Sequence, residues 1–348
     1  MRARRLARSA LTERSTSLVE VVRQAGGIHA QVQASAELQL AARVDGIAQQ
    51  EVRDALWRDR TLVKAWTLRG TLHLHPADEL PLWLATRPPR EALGEWRDPA
   101  GVVHAAVTEE EVMELRAAVW DAARGEPQLR EELVDEVVRR VGRKHEARLR
   151  SGFAFFTDEL CQGPPRGSKI TLVRPDLWLR SWQPVAHEDA LREALRRFLY
   201  AYGPARAADC RAWLGSEVPF DGVEEVEVEG RRAFVLAGDT AFPDSGKSVR
   251  LLPEYDVYVM GFREREQLVP ARVRGQVAAH GRGRYEGPAG VRFLLVDGVA
   301  AGLWERRKTA KRLEITVAAA RRFDRTALVR EVERYAKFLG LEPALTVE

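Results

Sequence analysis

Apolar residues in the first part of the chain repeat at helical spacing and then at strand spacing. After Ser17, which forms a capping box with Glu20, apolar side chains recur every three or four positions until the Gly26-Gly27 pair ends the helix. The segment TLVKAWTLRGTLHLH at 61–75 alternates as strands do. Three helices closed by a β-ribbon predict a winged-helix module over residues 1–95. The candidate N-caps of its second and third helices are Ser35 and Asp45.

A similar order returns in residues 96–185. Thr108 and Glu111 form a second capping box, and Pro127 is placed to open the next helix. A Gly/Pro turn and a short strand follow in GPPRGSKITLVRP at 163–175. We interpret this as a second winged-helix module. Its basic wing carries Arg166, Lys169 and Arg174.

The pattern weakens in residues 186–247, which we predict to be a degenerate third winged-helix module. A helix is expected from His187, but the strand that follows places Glu225, Glu227 and Glu229 on one face. Carboxylates in that arrangement repel phosphates, so an architectural role is expected for this module.

From residue 248 to 348 the pattern predicts a β-rich region with a closing helix. VRLLPEYDVYVMGF and VRFLLVDGVAAGLWERR are strand candidates, and Asp297-Gly298 is a strong hairpin signal. The Gly/Arg-rich loop at 279–290 is either a mobile basic element or a solvated loop. The predicted fold class is α+β, with tandem winged-helix modules and a C-terminal β-rich region.

Composition limits the range of functions. Lys and Arg total 55 against 51 acidic residues, a net charge of +4, so any basic surface must arise from local clustering. Of these cations 48 are Arg, the side chain that grips phosphate bidentately, although a GC-rich genome produces the same bias. Cys161 and Cys210 support neither a disulfide framework nor a zinc cluster. Without a signal peptide or membrane span, we expect a cytoplasmic, monomeric protein that needs no metal or cofactor.

Two groups of polar residues are candidates for chemistry. His29, Gln31 and Gln33 alternate with apolar residues, so they either face one common side or satisfy backbone groups at a helix junction. His73 and His75 share one strand face, as metal ligands do, but no third ligand is evident nearby. We therefore interpret these histidines as polar groups of the wing. Arg69 and Thr71 of the same ribbon either contact the DNA backbone or support the turn.

The chain resembles the bacterial AlkZ/YcaQ-type DNA glycosylases of the winged-helix DNA-binding family. The resemblance rests on Gly26-Gly27-Ile28-His29-Ala30-Gln31, on Arg43 twelve residues later, on WTLRGTLHLHP, and on LLPEYDVYVMGF and LVDGVAAGLW near the C-terminus. It implies a catalytic motif of Gln or His, an apolar residue, then Gln or Asp, which falls on His29 and Gln31. Gln31 and Gln33 form an alternative register. With the wings, the predicted DNA contacts are Arg43, Arg69, Thr71, His73, Arg166, Lys169 and Arg174.

The chemistry of alkylated purines fits these residue types. Alkylation makes the base a good leaving group, so the enzyme must stabilise charge on the sugar and orient a water. His29 can accept the proton of that water, and the Gln31 carbonyl can hold it. Because no lysine lies in this segment, a Schiff-base lyase step is not expected there, and we predict a monofunctional glycosylase. The resemblance implies that it acts on double-stranded DNA with alkylated bases, bulky adducts or the crosslinks of genotoxic natural products. The alternatives are a non-catalytic winged-helix regulator or architectural protein, and a family member that has lost activity.

Overall fold

The computed structural model describes the chain except residues 88–91, 99, 153–155, 158, 240, 244–245, 262–263 and 281–289. Most of the Gly/Arg-rich loop therefore lies outside the described residues. The helices are α1 Arg2–Arg8, α2 Leu18–Gln24, α3 Gln33–Ala41, α4 Gln49–Trp57, α5 Leu80–Ala85, α6 Glu109–Ala122, α7 Arg130–Val141, α8 Glu146–Gly152, α9 Pro175–Trp178, α10 His187–Tyr202, α11 Ala207–Leu214, α12 Val257–Met260, α13 Ala271–His280 and α14 Arg325–Leu339. The strands are β1 Ile28–His29, β2 Leu62–Trp66, β3 Leu72–Pro76, β4 Trp96–Arg97, β5 Val103–His104, β6 Gln128–Leu129, β7 Cys161–Arg166, β8 Lys169–Val173, β9 Val223–Val228, β10 Arg231–Leu236, β11 Val249–Leu252, β12 Phe293–Val296, β13 Val299–Lys308, β14 Arg312–Ala319 and β15 Glu342–Val347. The predicted α+β class is confirmed at this level.

The first helix caps are partly as predicted. Ser17 caps α2 by accepting the Glu20 N–H, as the capping box requires. Ser35 is not a cap, because α3 begins two residues earlier and the buried Ser35 hydroxyl donates to the Glu254 carbonyl. Asp45 is not a cap either: its carboxylate pairs with Arg334, and α4 begins only at residue 49.

Of the two helix starts predicted in residues 96–185, one is confirmed and one is wrong. Thr108 and Glu111 form the predicted reciprocal capping box at the start of α6. Pro127 does not open a helix, since a short strand, β6, separates it from α7. Residues 128–129 instead form β6, which pairs with β8 in a sheet.

The two predicted β-ribbons join in one six-stranded sheet of order β1-β3-β2-β7-β8-β6. All pairings within it are antiparallel, and β2 meets β7 at Ala65 and Cys161. The β2–β3 ribbon is consequently covered by a strand on each side and does not project as a free wing. By contrast, the far end of β7–β8 is exposed, with Arg166 and Lys169 at its turn.

The C-terminal region is a five-stranded sheet of order β11-β12-β13-β14-β15. Asp297 and Gly298 form its predicted hairpin turn, with φ of 53° and 77°. The strand predicted through VYVM is wrong, because Asp256 caps a short helix there, α12. β15, which was not predicted, follows the closing helix and pairs in parallel with β14.

The N-terminal helices and the C-terminal sheet share one hydrophobic core. Buried side chains of the first helices, such as Leu6 and Leu40, belong to the same cluster as Leu251, Val317 and Phe338. This packing brings the loop between β11 and α12 against the segment that contains His29. In the part of the chain that is described, no helix is both long enough and apolar enough to cross a membrane.

Candidate active site

His29 ends β1 opposite His73 of β3. The chain reaches this strand from α2 through Gly26 and Gly27, whose φ values of 67° and 106° lie in the region that favours glycine. The imidazole is only 6% exposed, and its ring centroid lies 5.3 Å from that of His73 in an edge-to-face arrangement. A half-buried ring, that of Tyr255, lies 5.4 Å away.

Burial makes His29 a neutral base at physiological pH. It lowers the pKa of the imidazole to about 4, and the positive charges of Arg69 and Lys64 lower it further. The Nδ1 atom is buried and has no hydrogen-bond partner among the described protein groups. The ring therefore has one buried nitrogen whose hydrogen-bonding capacity the described protein groups do not satisfy.

The two glutamines of the segment lie in different surroundings. Gln31 is exposed, and its Oε1 accepts a 3.4 Å hydrogen bond from the Leu72 N–H, beside His73 in β3. Gln33 begins α3, where its Oε1 accepts a 3.0 Å bond from Lys64 Nζ and its Nε2 donates over 3.4 Å to Glu37. The Gln33 amide is thus engaged at both ends, whereas Gln31 remains accessible from solvent.

Lys64 was not anticipated at this site. It projects from β2, is 6% exposed, and lies far from residues 26–33 in sequence. Burial lowers its pKa to about 8, against a raising influence from Glu37. The alternation of β2 was visible in the sequence, but the pairing that carries this lysine to Gln33 was not.

His73 and His75 are internal side chains. His73 is 2% exposed with Nδ1 3.0 Å from the Thr71 carbonyl oxygen, and His75 shares a 2.9 Å hydrogen bond with Thr67 Oγ1. The His75 ring stacks on Trp83 at 4.7 Å. The expected contact of His73 with phosphate is therefore wrong. No group of three or more possible metal ligands is found among the residues that could be searched.

Arg43 is also a structural residue. It is completely buried, and its guanidinium donates two hydrogen bonds, of 2.8 and 2.7 Å, to the carboxylate of Asp256. A DNA phosphate cannot reach it, so the expected DNA contact is corrected. Arg43 instead ties the chain just after α3 to Asp256 of the C-terminal region.

The remaining predicted DNA contacts differ in accessibility. Arg69 is exposed as a residue, yet its guanidinium donates to the Trp213 carbonyl, and Thr71 Oγ1 donates to the Leu68 carbonyl within the same turn. Arg174 is half-buried between Asp176 and the ring of Trp120.

The exposed hairpin between β7 and β8 carries balanced charge. Arg166 pairs with Glu132 at 2.7 Å and Lys169 pairs with Glu131 at 3.1 Å, and all four side chains are well exposed. Ion pairs of this kind contribute about 0–1 kcal/mol, so phosphates can replace the carboxylates.

Comparison with known proteins relates the chain to DNA glycosylases. Residues 22–338 match the family model described as "DNA glycosylase AlkZ-like". The chain is 31% identical over 315 residues to an interstrand DNA cross-link repair glycosylase of Streptomyces sahachiroi, covering 83% of this chain and 82% of that protein. It also resembles the solved structure of the Streptomyces sahachiroi DNA glycosylase AlkZ, with a TM-score of 0.78, 28% identity, and coverage of 100% of this chain and 98% of that one. These matches favour the catalytic alternative over the non-catalytic regulator, and the chain belongs to the AlkZ-like family of DNA glycosylases.

Proposed function

We propose that this glycosylase hydrolyses the N-glycosidic bond of alkylated purine nucleotides in double-stranded DNA, including bulky adducts and interstrand crosslinks, and leaves an abasic site. The relative from Streptomyces sahachiroi is named for cross-link repair, which supports the substrate class. We further propose that the enzyme acts as a monomer built on tandem winged-helix modules.

One observation carries the catalytic assignment: His29 is a neutral, almost buried base whose Nδ1 has no partner within the described protein, and exposed Gln31 follows two residues later. Gln31 lies just beyond the end of β1, and its Oε1 accepts from the Leu72 N–H, next to His73, whose ring contacts the His29 imidazole. A water held by the Gln31 carbonyl can therefore be deprotonated by His29 as it attacks C1′ of the deoxyribose.

The leaving group needs no acid. An alkylated purine is cationic, so the bond to C1′ breaks with both electrons going to the base, which departs neutral. The hydroxide equivalent from water bonds to C1′, and the proton passes to His29. Gln31 also presents a carbonyl dipole to the positive charge that develops on the sugar.

The test is base release from an alkylated duplex. Purified enzyme is incubated with the duplex, and abasic sites are revealed as strand breaks after alkali. We expect breaks at the adducts with wild type and none above background with His29→Ala/Gln31→Ala, whose DNA affinity stays within about threefold because neither residue is an ionic contact. His187→Ala/Gln183→Ala, an exposed pair elsewhere, is the matched control. Excision by the His29/Gln31 double variant would contradict the assignment.

We also propose that Arg166 and Lys169 contact DNA phosphates, since they are the exposed cations of the β7–β8 hairpin. Each phosphate contact adds about 0.9 to the slope of log Kd against log salt concentration for duplex DNA. Arg166→Ala/Lys169→Ala should therefore reduce that slope by about 2. An unchanged slope would place the contact elsewhere.

A further inference from the structure

Tyr255 has a backbone conformation that non-glycine residues seldom adopt. Its φ is +61°, in the left-handed region, within the loop that joins β11 to α12. Such a conformation persists only where the surrounding structure enforces it, and it is concentrated at functional sites. The groups around Tyr255 must therefore hold it in this conformation.

Ion pairs, one of them partly and the other completely buried, hold the residues on both sides of Tyr255. Glu254 accepts hydrogen bonds of 2.7 and 3.2 Å from Arg292, and its carbonyl accepts the Ser35 hydroxyl. Asp256 is completely buried against Arg43. With both neighbours fixed, the tyrosine has little freedom to leave its left-handed conformation.

The same loop is tied directly to the strand that carries His29. The buried side chain of Gln39 donates to the His29 carbonyl over 3.0 Å, and its Oε1 accepts the Val257 N–H over 3.1 Å. One amide thus sets the distance between the backbone of His29 and the loop. No other role of Gln39 is needed to explain its burial.

The Tyr255 ring lies beside the His29 imidazole. Their centroids are 5.4 Å apart with 38° between the ring planes, and His73 lies 5.3 Å away on another side at 87°. The imidazole is therefore held by two rings, one from β3 and one from the C-terminal region. Tyr255 remains half-exposed, so it forms part of the boundary between His29 and solvent.

We propose that Tyr255 is a positioning residue of the glycosylase reaction, whose ring fixes the orientation of the His29 imidazole and limits its hydration. This inference rests on the proposed function of His29. It assigns a task to the left-handed backbone and to the two ion pairs: they place an aromatic ring from the C-terminal region against a base supplied by the N-terminal region.

Removal of the ring should change the pH dependence of the reaction. The groups that face His29 are Lys64 on β2, Arg69 in the turn before β3, His73 on β3 and the Tyr255 ring. The two cations disfavour protonation of His29 in every Tyr255 variant, but burial is the larger influence on its pKa. Water admitted in place of the ring stabilises the imidazolium, so the acidic limb of the rate should move to higher pH.

Three substitutions separate the ring from the backbone. Tyr255→Phe keeps the ring, Tyr255→Leu keeps an apolar side chain without a ring, and Tyr255→Gly removes the side chain but suits the positive φ. Single-turnover base release, DNA affinity and Tm are measured for each. Glu229→Gly is the matched control, since Glu229 also has a positive φ, 53°, in an exposed turn.

We expect Tyr255→Phe to release base within about threefold of the wild-type rate. Tyr255→Gly and Tyr255→Leu should lose roughly 10- to 100-fold in single-turnover rate, as misplaced catalytic groups do, with little change in Kd and with the acidic limb moved upward. Tyr255→Gly should nevertheless keep a Tm at or near that of wild type, as Glu229→Gly does. If Tyr255→Gly does not fold, the single-turnover rate of Tyr255→Leu compared with that of Tyr255→Phe tests the role of the ring.

Full single-turnover activity of a ring-deleted variant would overturn the inference, as would rate losses that only follow losses of Tm. The His29→Ala/Gln31→Ala variant is assayed in parallel. If that variant is inactive while the ring-deleted variants are fully active, the positioning role of Tyr255 fails and the proposed function stands. If that variant excises bases, both fail.

Discussion

The imidazole of His75 lies directly against the Cα of Gly27. A Cβ placed on Gly27 would come within 2.4 Å of His75 Cε1, and the φ of this glycine is +106°. The His75 ring is in turn stacked on Trp83 and hydrogen-bonded to Thr67, so it has no room to move away. Gly27 therefore fixes how closely the start of β1 approaches β3, two residues before His29.

Gly27→Ala should lower the free energy of unfolding by about 2–4 kcal/mol, from backbone strain together with overpacking. Gly46→Ala is the control, because Gly46 also has a positive φ, +73°, but nothing lies within 4 Å of its added Cβ. That variant should lose only about 1–2 kcal/mol. Chemical denaturation of both proteins measures the difference. Equal losses would show that the His75 contact is unimportant.

The Arg43–Asp256 pair gives a second prediction. Removal of either partner leaves a charge buried and unpaired, so Arg43→Ala and Asp256→Ala should each destabilise the protein by about 3–5 kcal/mol. The double variant should lose much less than the sum, since neither charge then remains. Because Arg43 does not reach DNA, the salt dependence of DNA affinity should be unchanged in the folded Arg43→Ala protein. A shallower salt slope would restore Arg43 as a phosphate ligand.

The sequence allowed local features to be predicted better than the contacts between distant segments. The Ser17 and Thr108 caps and the Asp297-Gly298 turn depend on residues within a few positions of each other, and all three are confirmed. Arg43 and Ser35 were misassigned because their partners, Asp256 and Glu254, lie more than 200 residues away. Periodicity carries no information about such contacts.

The same distinction applies to the candidate site. The polar alternation of His29 and Gln31 was visible in the sequence, and the resemblance gave it a chemical meaning. Lys64 reaches Gln33 only because β2 pairs with β3. Tyr255 reaches His29 only because the C-terminal sheet shares the N-terminal core. Both lie in segments that the sequence predicted to be strands, yet nothing in the order of residues places them beside the imidazole.

The lowered pKa of His29 predicts an unusual pH profile. Because the neutral imidazole is the active form and its pKa is about 4, base release should stay nearly constant from pH 8 to about 5 and fall only as the pH passes through about 4. His29→Gln, which cannot titrate, should lose this acidic limb. Single-turnover rates, corrected for spontaneous depurination, measure both profiles. A limb near pH 6.5 in the wild type would show a hydrated imidazole.

Acid unfolding must be separated from this limb. The pKa values of His29, His73 and His75 are all lowered by burial, so the unfolded chain binds more protons than the folded one below about pH 6.5. Stability therefore falls as the pH drops from that point. Circular dichroism at each pH shows whether a rate belongs to folded enzyme.

Lys64 supplies the last prediction, in which stability and activity move in opposite directions. Its pKa in the folded protein is about 8, below the ordinary lysine value of 10.5, because burial penalises the ammonium. Between these values the unfolded chain binds more protons, so this residue makes stability rise with pH. Lys64→Met keeps the aliphatic stem and removes the charge. It should therefore raise the free energy of unfolding at pH 7, and the gain should disappear as the pH approaches 10.5.

Base release should nevertheless fall in Lys64→Met, because Gln33 loses the partner of its Oε1 and the first turn of α3 follows directly on Gln31. Lys337→Met is the matched control, since Lys337 is an exposed residue in the last turn of α14, away from the proposed site and from the β7–β8 hairpin. Its stability should differ from wild type by less than about 1 kcal/mol. Denaturation at pH 7 and pH 10 together with single-turnover rates tests both proteins. A Lys64→Met protein that is less stable at pH 7 would mean that the Gln33 bond outweighs the burial of the charge.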